Sequence, residues 1–227
     1  MKYLPENFIS IGGCCLGLYI LGKDRIRGPI DNVLLFSYKI IKFMLKKQYI
    51  YYLQNTPYIK RKKKKIRPNE PHVNFLFKWK LKIIHNDLRD PKYLKEIEKR
   101  MQNFTTFVKT MRKDKNKFFV FSIPYTFVKE GEEIDHRLER LIIYLNQIGL
   151  LKQTIFVGCH KPSFITQTAW WDNYLNPPLA QYFIQKYGIK YIELDNLDLS
   201  SLQGKEQAYY IFQEKVEKEI LSSKTPA

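Results

Sequence analysis

Cys15, His85 and a carboxylate at Asp31 or Asp87 are the residues of this chain whose types could do chemistry together. A thiol attacks well only as thiolate, which near neutral pH needs a base or a positive environment, and the base needs a group to orient it. The order Cys, His, Asp supplies all three. Asp87 stands so near His85 in sequence that nothing guarantees it turns toward the imidazole, and Asp31 is a second candidate orienter. On spacing alone the set is weakly specific, because a chain with three cysteines and four histidines always contains one like it.

The thiol sits in Phe8-Ile9-Ser10-Ile11-Gly12-Gly13-Cys14-Cys15, which reads as a short apolar strand, a glycine turn and a helix start. Backbone N–H groups at a helix start carry partial positive charge and favour a thiolate. Gly12, Gly13 and Cys14 are the candidates for backbone donors to an oxyanion. The competing reading makes Cys14 and Cys15 two small buried hydrophobes. A metal site on Cys14, Cys15 and a histidine is poorly spaced, since adjacent cysteines rarely share one zinc and no second ligand pair follows. No metal and no cofactor are expected.

The elements that must position these groups follow from periodicity. Leu16 to Leu21 suits a helix that Gly22 ends, Lys23 to Arg27 suits a basic loop, and Gly28-Pro29 a turn. Apolar residues at helical spacing (Val33, Phe36, Ile40, Phe43, Met44) predict a long helix from Asn32 to Tyr52, and alternation from Phe75 to Ile84 predicts a half-exposed strand. Beyond it, helices are expected over Lys92–Arg112, Glu132–Ile148, Pro178–Tyr187 and Lys205–Leu221. Strands are expected over Phe118–Ile123, Thr154–Val157 and Lys190–Leu194. Such alternation argues for an α/β fold, a mostly parallel sheet flanked by helices, Rossmann-like in its arrangement. The reading is one domain over 1–227 with a basic loop at 57–71 and a frayed tail at 222–227. All strand C-terminal ends then lie on one rim, shared by Gly12 to Cys15, Cys159-His160 and Asp195.

Four blocks carry a resemblance: Ser10-Ile11-Gly12-Gly13-Cys14-Cys15, Gly28-Pro29-Ile30-Asp31-Asn32, Ile84-His85-Asn86-Asp87 and Lys99-Arg100-Met101-Gln102-Asn103-Phe104. Their order resembles an uncharacterised bacterial and large-virus family catalogued as predicted papain-like cysteine peptidases. That family shows a Ser-Leu-Gly-x-x-Cys start, a Pro-Phe-Asp-Trp block, a His-Asp block and an Arg-Arg-x-x-Arg-Phe helix. The resemblance spans roughly residues 8 to 160 and implies Cys15 as nucleophile, His85 as base, Asp31 and Asp87 as the acidic positions, and Arg100 as an anion-binding arginine. Ile30, Asn32, Met101 and Asn103 depart from the pattern. Family members are often encoded among surface-glycan genes, so the substrate classes implied are peptide, acyl or glycan.

Thirty-nine Lys and Arg against 22 Asp and Glu give a net charge of +17, which attracts polyanions without naming one. Lys60-Arg61-Lys62-Lys63-Lys64-Lys65-Ile66-Arg67, bracketed by Pro57 and Pro68, is an exposed loop. Its Lys62, Lys63 and Lys64 could grip phosphates or an anionic membrane surface, or be simply solvated. No aromatic residue interrupts the run to stack on bases, which argues against specific nucleic-acid binding. Trp170 and Trp171 lie in a loop-rich stretch as a sugar platform or a core cover, and His160 and Asp195 stand at the pocket rim.

Three functions are consistent with these residues: a cysteine-dependent hydrolase or acyltransferase, a glycan-modifying or glycosyl-transferring enzyme on the same rim, and a non-catalytic module binding an anionic polymer or lipid. Three cysteines, two adjacent, make no disulfide framework, and no segment approaches the ~20 apolar residues of a membrane span. A cytoplasmic protein, peripheral at the membrane if attached to it, is the expectation. Nothing in the sequence fixes an oligomeric state.

Overall fold

The computed structural model describes residues 2–12, 16–22, 25–29, 33–35, 39–46, 74–76, 81–83, 91–123, 136–159, 177–199 and 201–221. In chain order its elements are β1 (Phe8–Ser10), α1 (Leu16–Ile20), β2 (Val33–Leu35), α2 (Lys39–Leu45), β3 (Asn74–Leu76), β4 (Leu81–Ile83), α3 (Pro91–Met111), β5 (Phe118–Ser122), α4 (His136–Gln147), β6 (Thr154–Cys159), α5 (Pro177–Tyr187), β7 (Lys190–Leu194) and α6 (Leu202–Lys215). The last helix continues as a π-helical stretch, Val216–Leu221.

A four-stranded parallel sheet in the order β1-β5-β6-β7 forms the frame, so the fold is α/β. Its two central strands are buried along their whole length, as a parallel strand covered on both faces must be. Their side chains alternate between two cores. Phe119, Phe121 and Phe156 join Ile97, Met101 and Phe104 of α3, Leu138, Leu141, Ile142 and Leu145 of α4, and Phe183 of α5. Phe118, Val120, Ile155 and Val157 join Leu16 and Ile20 of α1 and Ala208 and Phe212 of α6. Ile41 and Met44 of α2 join the first core, so among the described residues helices cover both faces, α2 to α5 on one and α1 and α6 on the other.

Local sequence explains these helices. On α3 the buried Ile97, Met101 and Phe104 recur at helical spacing while Lys95, Lys99 and Gln102 face outward. Phe104 stacks on Phe119 at 5.8 Å between ring centroids, which fixes the helix to the sheet. Helix α4 ends at Gly149, whose φ of 72° suits glycine. Leu150 there donates to the Leu145 carbonyl at 2.9 Å and Gly149 to that of Asn146 at 3.0 Å, a Schellman closure. Ser201 caps α6 by accepting the Gly204 N–H at 2.9 Å.

Strand order decides where a ligand crevice falls. From β5 to β7 the sheet grows in one direction away from β1. On the other side of β1, Ile26 makes a parallel bridge to Ile9. The chain thus leaves β1 through α1 toward one side and later returns to the other side at β5. The order reverses between β1 and β5, and crevices in open parallel sheets form at the strand C-terminal ends of such a point.

Four expectations from the sequence give way to the structure. Residues 33–35 are a strand, and the helix expected from Asn32 begins only at Lys39. The single strand expected over Phe75–Ile84 is a hairpin, with β3 antiparallel to β4, and β2 pairs with the other edge of β4. These three strands form an antiparallel sheet of their own. The basic loop expected over Lys23–Arg27 contains the Ile26 bridge, and α6 starts at Leu202 rather than Lys205. The basic loop at 57–71 and the tail at 222–227 lie outside the described residues.

Candidate functional site at the reversal of strand order

The turn after β1 is built from small residues for a steric reason. Ser10 and Ser122 lie at the C-terminal ends of neighbouring strands, and their hydroxyls lie under Gly17 of α1. A Cβ on Gly17 would meet the Ser10 Oγ at 2.8 Å and the Ser122 Oγ at 3.2 Å. Only glycine lets α1 lie this close to the sheet. Gly12, at φ 93°, bends the chain out of β1 in the left-handed region. Its N–H donates to Ser10 Oγ at 3.2 Å, and its carbonyl accepts the Ser122 N–H, also at 3.2 Å. The turn is therefore tied to both strands flanking the crevice. The Ser122 Oγ is buried with no hydrogen-bond partner among the described residues, a polar group facing the base of the turn.

Of the residues the sequence puts forward, Gly12 is thus placed at the crevice, with its N–H already engaged. Gly13, Cys14, Cys15, Asp31, His85 and Asp87 lie outside the described residues, as do Lys62, Lys63, Lys64, His160, Trp170 and Trp171. Asp195 follows β7 at the rim and is exposed. With β7 at the far edge, three strand spacings of about 4.8 Å place it about 14 Å from β1. It shares the rim with the Gly12 turn but not the crevice. Cys159 ends β6 with its side chain fully buried in the core under α1 and α6.

Arg100 is described in full. It is buried on α3 and its Nη2 donates to Glu96 Oε1, one turn earlier on the same helix. Arg27, one residue past the Ile26 bridge, donates to the same oxygen from Nη1 at 3.3 Å. The hydrogen bond from Arg100, reinforced by the charges of Arg100 and Arg27, holds the Glu96 carboxyl below the usual carboxylate range. Two guanidinium groups therefore converge beside the outer edge of β1. The Glu96–Arg100 spacing was visible in the sequence; Arg27, 69 residues from Glu96, had no local signal.

Among the described residues no three His, Cys, Asp or Glu side chains gather as they would around a metal ion, and no helix is long and apolar enough to cross a membrane. The arrangement defines an α/β protein with its crevice between β1 and β5. Compared with protein-family models, curated proteins and solved structures, the chain finds no match.

Proposed function

We propose that the chain is a cysteine-dependent hydrolase or acyltransferase in which Cys15 is the nucleophile, His85 the base and Asp31 the residue that orients the imidazole. The observation that carries this reading is the register of β2 on β4. Val33 pairs with Ile83 in antiparallel register. Asp31 stands two residues before Val33, and His85 stands two residues after Ile83. Continued outward by two residues, that register would set Asp31 opposite His85, at the ~5 Å between Cβ atoms of a cross-strand pair. Asp87 has no such counterpart. The register thus favours one of the two carboxylates that the sequence left open.

The position of Gly12 supports the nucleophile. Cys15 follows it by three residues, in the connection that leaves β1 at the reversal of strand order. In the proposed reaction the Cys15 thiolate attacks an acyl carbon of a peptide, or of an acylated sugar or amine. The N–H groups of Gly13 and Cys14 hold the developing oxyanion. His85, protonated when the thiolate forms, gives its proton to the leaving group as the carbon–leaving-group bond breaks, which leaves a thioester. Water or an acceptor hydroxyl, deprotonated by His85, then releases the acyl group.

The test is the pH dependence of iodoacetamide alkylation at each cysteine, resolved by mass spectrometry, in wild type and in His85→Ala, Asp31→Asn and Asp87→Asn. The expected result is a Cys15 thiolate that forms well below the ~8.5 of a free thiol. His85→Ala abolishes that shift, Asp31→Asn diminishes it, and Asp87→Asn leaves it intact. A Cys15 that titrates as an ordinary thiol in wild type removes the nucleophile and the function with it.

A further inference from the structure

We propose that the groove between α3 and the Arg25–Arg27 segment is a binding site for a small phosphate ester with a polar body, its phosphate seated on Arg27, Lys99 and Arg100. The groove has a volume of about 720 Å³, within the range of small-molecule sites. Five cations line it, Arg25, Arg27, Lys99, Arg100 and Lys117, against one carboxylate among the described residues, Glu96.

Glu96 does not fill this site; it organises it. One of its oxygens draws Arg27 and Arg100 together from two separate elements. A guanidinium carries five N–H donors, so each arginine keeps donors for a second acceptor. Arg100 makes the strongest case. Its side chain is only 7% exposed, and its buried Nε has no hydrogen-bond partner among the described residues. A buried charged donor left unmatched is costly, and an anionic oxygen in the groove is what would satisfy it. Arginine forks also suit the oxygens of a phosphate, and two of them set side by side suit a dianion better than a single carboxylate.

The rest of the groove describes the body of the ligand. Asn103, Thr106 and Thr110 follow Lys99 along the same side of α3 and line it. From Lys99 to Thr110 a helix rises about 16 Å, long enough for a sugar-sized body beyond the phosphate. Asn103 and Thr106 offer amide and hydroxyl groups for a polar body, the Thr110 hydroxyl is already donated to the Thr106 and Phe107 carbonyls, and Ile26 and Phe107 add the apolar surface against which a sugar ring could lie. At the far end Lys117 is already engaged, with the Glu6 carbonyl at 3.3 Å and over the Phe107 ring at 5.4 Å. The anion seat is therefore the Arg27–Arg100 end, beside the outer edge of β1. This inference does not depend on Cys15, and the site binds its ligand whether or not the thiol is catalytic.

Titration calorimetry on the full chain tests it, with a hexose monophosphate, the unphosphorylated hexose and inorganic phosphate as probes. The hexose monophosphate is expected to bind saturably and more tightly than inorganic phosphate, with the free hexose inert. Inorganic phosphate binding as tightly as the ester overturns the polar body. Arg27 and Lys99 are exposed, so Arg27→Gln and Lys99→Gln should leave the fold intact. Each should weaken binding about tenfold, the worth of one charge-assisted hydrogen bond. Lys95→Gln, an exposed charge of α3 outside the groove, should change it less than about twofold, as should Cys15→Ala and the triple Gln variant of Lys62, Lys63 and Lys64. The proposal fails if Lys95→Gln weakens binding as much as Lys99→Gln, or if the triple variant abolishes it. It fails equally if only long polyphosphate or an oligonucleotide binds, or if the ester does not saturate by about 10 mM.

Discussion

A methyl group placed on Gly17 would lie 2.8 Å from the hydroxyl oxygen of Ser10, closer than a Cβ and an oxygen approach without something shifting. The same hydroxyl accepts the N–H of Gly12. One serine thus sets both how close α1 comes to the sheet and how the chain leaves β1.

Gly17→Ala should destabilise the protein by about 1–3 kcal/mol through overpacking, although alanine alone would favour a helix by up to about 1 kcal/mol. At this chain length, that corresponds to a drop in Tm of roughly 2–12 °C. In a Ser10→Ala background the same change should do less harm, because the nearest oxygen is gone and what remains, the Ser122 hydroxyl at 3.2 Å and the residue-10 Cβ at 3.3 Å, lies farther off. Denaturant unfolding of the two single variants and the double completes the cycle. Additivity within about 0.5 kcal/mol would show that the two residues do not meet as described.

Gln153 is the second structural test. Its buried Nε2 lies within hydrogen-bond distance of three carbonyls, Met111 at 2.9 Å, Asp114 at 3.0 Å and Lys117 at 3.1 Å, and shares its two N–H donors among them. It closes the end of α3 and the turn into β5 with one side chain. Gln153→Ala strips all three carbonyls of that donor and should lower stability by about 2 kcal/mol, or roughly 4–8 °C in Tm. Gln153→Glu should be worse near neutral pH and recover in acid, since a carboxylate facing three carbonyls is stable only when protonated. A thermal melt that moves by less than a degree in both variants would rule this role out.

Glu139 ties α4 to α5 through Tyr187 at 2.6 Å, Lys186 at 3.0 Å and Tyr182 at 3.3 Å. The hydrogen bond from Tyr187, then that from Lys186, hold its carboxyl below the usual range. A folded-state value below the unfolded one means the stabilisation is complete above the ordinary glutamate range near 4.3. It is lost as the pH falls through the lower folded value. Glu139→Gln should therefore cost about 0.5–1 kcal/mol near neutral pH and almost nothing in strong acid. Parallel Tm–pH curves for wild type and variant would contradict this.

The thiol of Cys159 is fully buried at the end of β6. It should alkylate at least about a hundredfold more slowly in the native protein than in denaturant, following global rather than local opening. Native labelling of Cys159 at the denatured rate would mean that the C-terminal end of β6 opens on its own.

The second half of the fold was legible because each element there is long enough to show its period. Phe118 to Ser122 is an unbroken apolar run, and α3 repeats its apolar stripe over five turns. The first half misleads for the opposite reason. Val33 shares helical spacing with Phe36, Ile40 and Phe43, and a strand of three residues is too short to display a period of two. The hairpin escaped notice because apolar residues fall at alternate positions, Phe75, Phe77, Trp79 and Leu81, straight across the four residues between β3 and β4, as they would in one strand; the register instead pairs Leu81 with Leu76 and Phe75 with Lys82. For the site, the glycine turn after β1 was readable, as was the placement of Arg100 on a helix. What no local pattern could show is that Ser122 lies beside Gly12, which depends on β1 pairing with β5, or that Arg27 reaches Glu96, 69 residues away.

Tyr3 donates its N–H to Glu217 at 2.7 Å, and its ring stacks on Phe8 and meets Phe212 edge-on. The first strand is thus sealed by the last helix, 214 positions away. A ribosome delivers the chain from the N-terminus, so one face of the sheet is made early and stays only partly covered while the rest is translated. Phe8, Phe118, Val120 and Ile155 are held on that face with only α1 over them until residues 202–221 leave the exit tunnel. Until then the nascent protein carries an apolar surface that a chaperone can occupy and that a stalled or truncated product keeps permanently.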